Sequence, residues 1–238
     1  MSRVTNYNLA IAAAILAIGL LGLGVILNST ALAVKAMDRT VVVKGLAERD
    51  VVADTVIWPL QFTDADNNLE VLVQRIEQKN SAIIAFLKLH GFDDDEISLG
   101  VQSIKDQQTQ AYVNQHQKLR YLARSTVTIY SHALDKVKNA VAQISQLAKQ
   151  NIAIEQDSYQ TKIEYIFNGL NNIKPSMVQQ ATEKAREVAQ KFAKDSNSKL
   201  GKIKTAHQGQ FSIRARDSNT PAIKKVRVVS RVEYYLVD

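Results

Sequence analysis

The sequence predicts an α+β fold in which a single transmembrane helix near the N-terminus precedes a domain of mixed hairpin strands with about three amphipathic helices. Three observations predict it: a long apolar run near the N-terminus, segments in which apolar and polar residues alternate, and segments in which apolar residues recur every three or four positions. Hairpins are interspersed with crossovers, which favours α+β over a doubly wound parallel sheet. We expect residues 1–34 to form a tail and an anchor, and residues 35–238 to form the domain.

The anchor is predicted from the run between Leu9 and Leu27, in which every residue is Leu, Ile, Val, Ala or Gly. As a helix that rises about 1.5 Å per residue, this run is roughly 28 Å long, close to the hydrocarbon thickness of a bilayer. No charged residue lies between Arg3 and Lys35, so no charged side chain has to enter the lipid. Its glycines permit close contact between helices. The residues expected to mark this anchor are Leu9, Ile15, Gly19, Gly22 and Leu27.

Two alternatives for this segment stay open from the residues alone. It could be a cleaved signal peptide, because Ala31 and Ala33 have the spacing that a signal peptidase uses, although the apolar run exceeds the roughly 7–15 residues of a typical signal. The side of the membrane is also open. Arg3 precedes the run and three basic residues from Lys35 to Lys44 follow it, which leans toward a cytoplasmic domain. The short tail and the signal-like layout favour the opposite side.

Four strands and a helix are predicted in the first half of the domain. A strand is predicted from the alternation of Val52, Val56, Trp58, Leu60 and Phe62, with Asp54 as the exception. It is expected to pair with a strand at Thr40–Leu46 around a turn at residues 48–50. Apolar residues at helical spacing follow, and Asn67 is the expected cap of that helix. The remaining predictions are strands at Ile97–Lys105 and Leu119–Tyr130, separated by a polar, glutamine-rich loop at Asp106–Lys118.

Two helices and three strands are predicted in the second half. The first helix extends from Leu134 to Leu147 and is capped by Ser131. The second begins at Pro175, a residue favoured in the first turn, and ends at Leu200-Gly201. Its apolar stripe is predicted to consist of Val178, Ala181, Ala185, Val188 and Phe192. The predicted strands are Ile152–Phe167, Ile203–Arg214 and Lys225–Val237.

Composition and motifs argue against several classes of function. The chain has no cysteine, which excludes thiol catalysis, thiolate zinc sites and iron–sulfur clusters. Its formal net charge of +7 comes from scattered basic residues without a recognition motif, so no nucleic-acid partner is expected. The four histidines form no metal-ligand pair, and the acidic run Asp93–Glu96 lacks the spacing of a calcium loop. We expect no cofactor, no metal and no enzymatic activity.

The loop at Asp106–Lys118 is the segment in which we expect contact with a partner or a second subunit. Tyr112 is an aromatic residue among glutamines, and aromatic side chains are enriched in protein interfaces. The expected contact residues are Gln107, Tyr112 and His116. An exposed loop without any partner is an equally good interpretation of the same residues.

A series of short motifs is distributed along the chain from Thr40 to the C-terminus. They are Val41-Val42-Val43-Lys44-Gly45-Leu46-Ala47-Glu48-Arg49, Val52-Ala53-Asp54 with Trp58, Arg120-Tyr121, Leu170-Asn171 with Ile173-Lys174-Pro175, Ala189 through Leu200-Gly201-Lys202, Gln208-Gly209-Gln210-Phe211-Ser212-Ile213, and Val226-Arg227-Val228-Val229. In this order and spacing they resemble the SIMPL-domain family, also called YggE-like, of bacterial envelope proteins. The resemblance implies a periplasmic domain without established enzymatic activity, ring-forming homo-oligomers, and a link to oxidative or envelope stress. Many members carry a cleavable signal, from which the long apolar run departs.

The first hypothesis for function is a non-enzymatic envelope protein that self-associates into a ring-like scaffold. It would be held in the bacterial inner membrane by one helix, with its globular domain in the periplasm. Its expected partners are the lipid bilayer, further copies of itself and other envelope proteins. The alternative is a periplasmic binding module with a groove beside the sheet for a lipid or a peptide. An enzyme of unfamiliar chemistry is the third hypothesis.

Overall fold

The computed structural model describes residues 15–30, 39–109, 119–155 and 161–237, and it confirms the predicted α+β class. Residues 15–30 form helix α1. The remaining elements are β1 (Thr40–Val52), β2 (Thr55–Asp66), α2 (Leu69–Leu89), β3 (Ile97–Leu99), β4 (Ser103–Asp106), a 3₁₀ turn (Gln107–Thr109), β5 (Tyr121–Ser131), α3 (Leu134–Ala142), α4 (Ser145–Lys149), β6 (Ile154–Glu155), β7 (Glu164–Ile166), α5 (Leu170–Asp195), β8 (Lys199–Gln208), β9 (Ser212–Ala215) and β10 (Ile223–Val237). Within the described ranges, no helix is both long and apolar enough to cross a membrane.

The described residues divide into two compact units. The first, called here the α5 unit, comprises those of Met1–Glu48, Lys174–Ser212 and Arg227–Asp238. The second, called the large-sheet unit, comprises those of Arg49–Ile173 and Ile213–Val226. The long elements β1, α5 and β10 each contribute residues to both units.

The large-sheet unit is built on the antiparallel pair of β2 and β5. These strands pair from Val56 opposite Ser131 to Asp66 opposite Tyr121, and the sheet has the order β3-β5-β2-β6, with β4 also on β5 and β7 also on β2. The predicted alternation is confirmed for Val56, Trp58, Leu60 and Phe62, which are buried in β2, but it was wrong for Val52, which lies at the end of β1 and is exposed. Apolar residues of α2, α3 and α4 pack against them and complete one core.

The α5 unit pairs β1, β10 and β8 in that order and packs α5 on one face of the sheet. The buried stripe of α5 consists of Met177, Ala181, Ala185, Ala189 and Ala193. The predicted stripe was therefore wrong in part, because Val188 and Phe192 are exposed. Small side chains face the sheet here, since Gly45 of β1 lies directly against the backbone of α5. A closely packed helix has no room for the larger residues.

The turn predicted at residues 48–50 is wrong. β1 continues through these residues to Val52, and the chain turns at Ala53 and Asp54 instead. β1 and β2 do not pair with each other: β1 pairs with β10, whereas β2 pairs with β5, β6 and β7. A run of charged residues resembles a turn in sequence, but Glu48 and Asp50 are exposed on the strand β1, where charge is tolerated.

The cap of helix α2 lies one residue later than predicted. The side chain of Asn68, rather than Asn67, accepts hydrogen bonds from the N–H groups of Glu70 and Val71. The helix predicted over 134–147 is divided into α3 and α4. Three predicted strands are likewise interrupted, giving the pairs β3 and β4, β6 and β7, and β8 and β9.

Both ends of α5 differ from the prediction. The helix begins at Leu170 and contains Pro175, which lies near its start and not at its first residue. It ends at Asp195 because Asn197 adopts a left-handed conformation with φ 53°, a common way for a helix to stop. Leu200, predicted to end the helix, lies in β8.

Candidate functional site

A groove lies beside β2 in the large-sheet unit, and the strand pairing explains its position. β6 pairs with Gln61 and Phe62, and β7 pairs with Thr55–Ile57, so the described pairing on this side omits the residues between them. Pro59 lies in that interval. A proline has no N–H to donate to a neighbouring strand, so it suits a place where a sheet opens.

A hairpin of β9 and β10 contributes to the same groove. Its turn is held by Asp217, whose carboxylate accepts hydrogen bonds from the hydroxyl and the N–H of Thr220 and from the N–H of Asn219. The hydrogen bond from the Thr220 hydroxyl is the main reason that the pKa of Asp217 lies well below its ordinary value. A backbone hydrogen bond of 2.8 Å from the N–H of Ala53 to the carbonyl of Ala222 fixes the hairpin beside the start of β2.

The groove consists of two hollows. The larger has a volume of about 280 Å³ and the smaller about 240 Å³. Tyr165 of β7 lines both, so we call the pair the Tyr165 groove. The apolar lining of the larger hollow includes Trp58, Pro59, Val141, Ile154, Ile163 and Pro221. That of the smaller includes Ile166, Phe167 and Ile213. All of these residues belong to the large-sheet unit.

Each hollow also has one lysine in its wall. Lys162 lines the larger hollow and Lys224 lines the smaller. Partial burial lowers the pKa of Lys224; the charge of Glu164 acts to raise it and that of Lys162 to lower it further. Neither lysine side chain makes a hydrogen bond or an ion pair within the described residues. The groove therefore combines an apolar lining with two amines that an anion can reach.

Asp54 fixes β7 to the start of β2. Its carboxylate accepts hydrogen bonds from the N–H groups of Asn168 (2.8 Å) and Gly169 (3.0 Å), from the Asn168 amide (3.0 Å) and from the Thr55 hydroxyl (2.9 Å). Its own N–H donates to the carbonyl of Ile166 at 2.9 Å. Partial burial acts to raise the pKa of Asp54, but these hydrogen bonds outweigh it, so the pKa is lowered.

His132 completes this cluster. Its Nδ1 lies 3.0 Å from the carbonyl oxygen of Asp54 and 3.1 Å from the Thr55 hydroxyl. A carbonyl oxygen only accepts hydrogen bonds, so Nδ1 carries the proton. Thr55 is fully buried and donates to Asp54, which leaves its hydroxyl unavailable as a nucleophile. Asp54, Thr55 and His132 thus form a hydrogen-bonded cluster that positions β7 beside the start of β2.

The residues singled out in the glutamine-rich loop are only partly described. Gln107 lies in the 3₁₀ turn, where its N–H donates to the carbonyl of Arg120 at 2.8 Å. Its side-chain oxygen is buried without a hydrogen-bond partner among the described residues. An ion pair of 2.8 Å between Arg120 and Asp106 closes the base of the loop. Tyr112 and His116 lie outside the described residues, and the contact expected there stays a prediction.

The predicted anchor residues fall mostly on α1. Ile15, Gly19, Gly22 and Leu27 are exposed on this helix, whereas Leu9 lies outside the described residues. In the described part of the chain, no group of three or more histidine, aspartate or glutamate side chains is arranged to hold a metal ion. The sequence-based alternative of a groove beside the sheet named none of its residues, and neither the residues of the Tyr165 groove nor the Asp54 cluster were predicted as sites.

One protein family accounts for most of the chain. The SIMPL family model, described as a protein of unknown function (DUF541), matches residues 41–233. No curated protein matches the chain. The matched segment covers well over half of the sequence and agrees with the resemblance drawn from the motifs, so that prediction is confirmed. The chain belongs to the SIMPL family.

Proposed function

We propose that this chain is a non-enzymatic envelope protein that is anchored in a membrane and self-associates into a ring-like homo-oligomeric scaffold. The observation that carries the proposal is the sheet face of the α5 unit that the described residues leave partly exposed. Helix α5 packs on one face only, through its alanine stripe. On the opposite face of β1, the side chains of Val42 and Leu46 are 46% and 42% exposed.

Charged and apolar side chains alternate on this face of β1. Lys44 lies between Val42 and Leu46, Glu48 follows Leu46, and Arg227 of β10 lies 3.7 Å from Glu48. Apolar contacts contribute to the stability of a subunit interface, and complementary charges fix its register. β8 lies at one end of the strand order β1-β10-β8, and an edge strand is a template for pairing with another chain. Closing identical subunits into a ring covers such surfaces without leaving a free end.

Helix α1 supports the membrane anchor. It contains no charged residue, and its large apolar side chains are 57% to 72% exposed. A water-soluble monomer rarely exposes a continuous apolar patch of this kind. Gly19 and Gly22 have open space around them, with no atom within 4 Å of an added Cβ, so a neighbouring helix could approach closely there.

The assembly proposal is tested at the exposed face of β1. We expect the double substitution Val42→Asp and Leu46→Asp to raise the dissociation constant of the oligomer about tenfold or more, because burying two unpaired carboxylates in an interface is unfavourable. Native mass measurement and sedimentation of the full-length protein in mild detergent would detect the smaller species. Val101→Asp is the matched control, since Val101 is 98% exposed in the large-sheet unit. A wild-type protein that is monomeric at micromolar concentration would contradict the proposal.

The periplasmic location is tested by reporters fused after Asp238. We expect alkaline phosphatase to be active there and a fluorescent protein that matures only in the cytoplasm to stay dark, because the family resemblance favours the periplasm over the count of basic residues. Deleting residues 9–27 should abolish phosphatase activity, since the apolar run would deliver the domain across the membrane. A bright fluorescent fusion with an inactive phosphatase would reverse the assignment.

Ligand binding in the large-sheet unit is the second candidate function. The Tyr165 groove favours it, because an apolar recess with a few polar groups is the common form of a binding site. This function is compatible with a scaffold, since the groove and the exposed face of β1 are formed by different residues.

A further inference from the structure

The Tyr165 groove has the lining of a ligand site. Small-molecule pockets usually have volumes of roughly 300–1,000 Å³ and a mostly apolar lining. The two hollows have volumes of about 280 and 240 Å³, just below that range, and Tyr165 lines both. A ligand that occupied both hollows would pass beside Tyr165.

The charges of the groove point to an anion. Among the described residues that line the groove, Lys162 and Lys224 are charged and none is acidic, while the exposed carboxylate of Glu164 acts on Lys224 from nearby. Neither lysine ammonium has a partner within the described ranges. A wholly apolar ligand would cover the half-buried ammonium of Lys224 without pairing it, and this is costly. A carboxylate headgroup would supply the missing hydrogen bonds.

We propose that the Tyr165 groove binds a single-chain anionic amphiphile, with its acyl chain along the apolar lining beside Trp58 and its carboxylate between Lys162 and Lys224. The proposal refines the second candidate function and rests on it. It does not depend on assembly or on the anchor, because every residue involved belongs to the large-sheet unit.

Trp58 provides a direct test, because it is the only tryptophan of the chain and lines the larger hollow. Bromine quenches indole fluorescence on close contact, so 11-bromoundecanoate should quench Trp58 in a saturable manner. The full-length protein would be kept in solution with an amphiphilic polymer that contains no tryptophan. The matched neutral probe is 11-bromo-1-undecanol, which carries the same chain and bromine without the carboxylate. We expect the dissociation constant of the alcohol to be at least about tenfold higher than that of the acid.

Variants of the lysines then locate the headgroup. Lys162→Gln and Lys224→Gln should each raise the dissociation constant of 11-bromoundecanoate about tenfold. Lys225→Gln is the control, since Lys225 adjoins Lys224 on β10 but is exposed and does not line the groove. Equal quenching by the alcohol and the acid, or unchanged affinity in both lysine variants, would overturn the headgroup assignment and leave an apolar site. No saturable quenching by either probe would overturn the proposal together with the second candidate function.

Discussion

Gly45→Ala should destabilise the protein by about 3 kcal/mol or prevent it from folding. A Cβ at this position would lie 1.8 Å from the carbonyl oxygen of Ala181 and 2.4 Å from the amide nitrogen of Ala185. Both are backbone atoms of α5, so no side chain can rotate away. The methyl group would have to push α5 off β1 and open the core around Val43 and Tyr234. Thermal unfolding of the variant and the wild type, followed by circular dichroism, measures the effect.

Two further variants separate this clash from a general effect on β1. Lys44→Ala changes the neighbouring residue, which is exposed on the opposite face of β1, and it should change the midpoint temperature of unfolding little. Adding Ala185→Gly to Gly45→Ala should not rescue the fold, because it removes a methyl group and leaves the obstructing backbone in place. A Gly45→Ala protein as stable as the Lys44→Ala protein would show that β1 and α5 are not packed as closely as described.

The core of the large-sheet unit could be predicted because its pattern is local. Val56, Trp58, Leu60 and Phe62 alternate, and a strand with this alternation buries those side chains on one face whatever its partner. The stripe of α5 was predicted less well. Its buried alanines are distinguishable from Val188 only when the contact with Gly45 is known, and that glycine lies far away in the sequence.

The residues that form the groove were not predictable for the same reason. Lys162 and Lys224 are distant in sequence and come together because β7 and the hairpin of β9 and β10 both lie beside β2. Two local signals did exist. Pro59 has no backbone N–H to donate to a neighbouring strand, although the strand around it is regular. Asp54 is a polar exception to the apolar alternation just before Pro59. Such exceptions to a pattern deserve a structural or functional explanation, and here both lie at the groove or at its support.

Asp54→Asn should lower the free energy of unfolding by about 1 kcal/mol at neutral pH, because the N–H groups of Asn168 and Gly169 lose a charged acceptor whose effect is reduced by its partial exposure to solvent. Since the folded-state pKa of Asp54 lies below the ordinary value of 3.8, its contribution is complete above that pH and is lost as the pH falls through the folded-state pKa. The wild type has other carboxylates with lowered pKa values, Asp64 among them, and loses stability in acid through these as well. The difference in the free energy of unfolding between the wild type and the variant isolates Asp54. Urea unfolding measured from pH 7 into the acid range should show that this difference becomes smaller only in acid.

Asp50→Asn, an exposed substitution of the same type, is the control and should show no such difference. A gap between wild type and Asp54→Asn that stays constant with pH would mean that the carboxylate is not held by these hydrogen bonds, and that β7 is positioned in some other way.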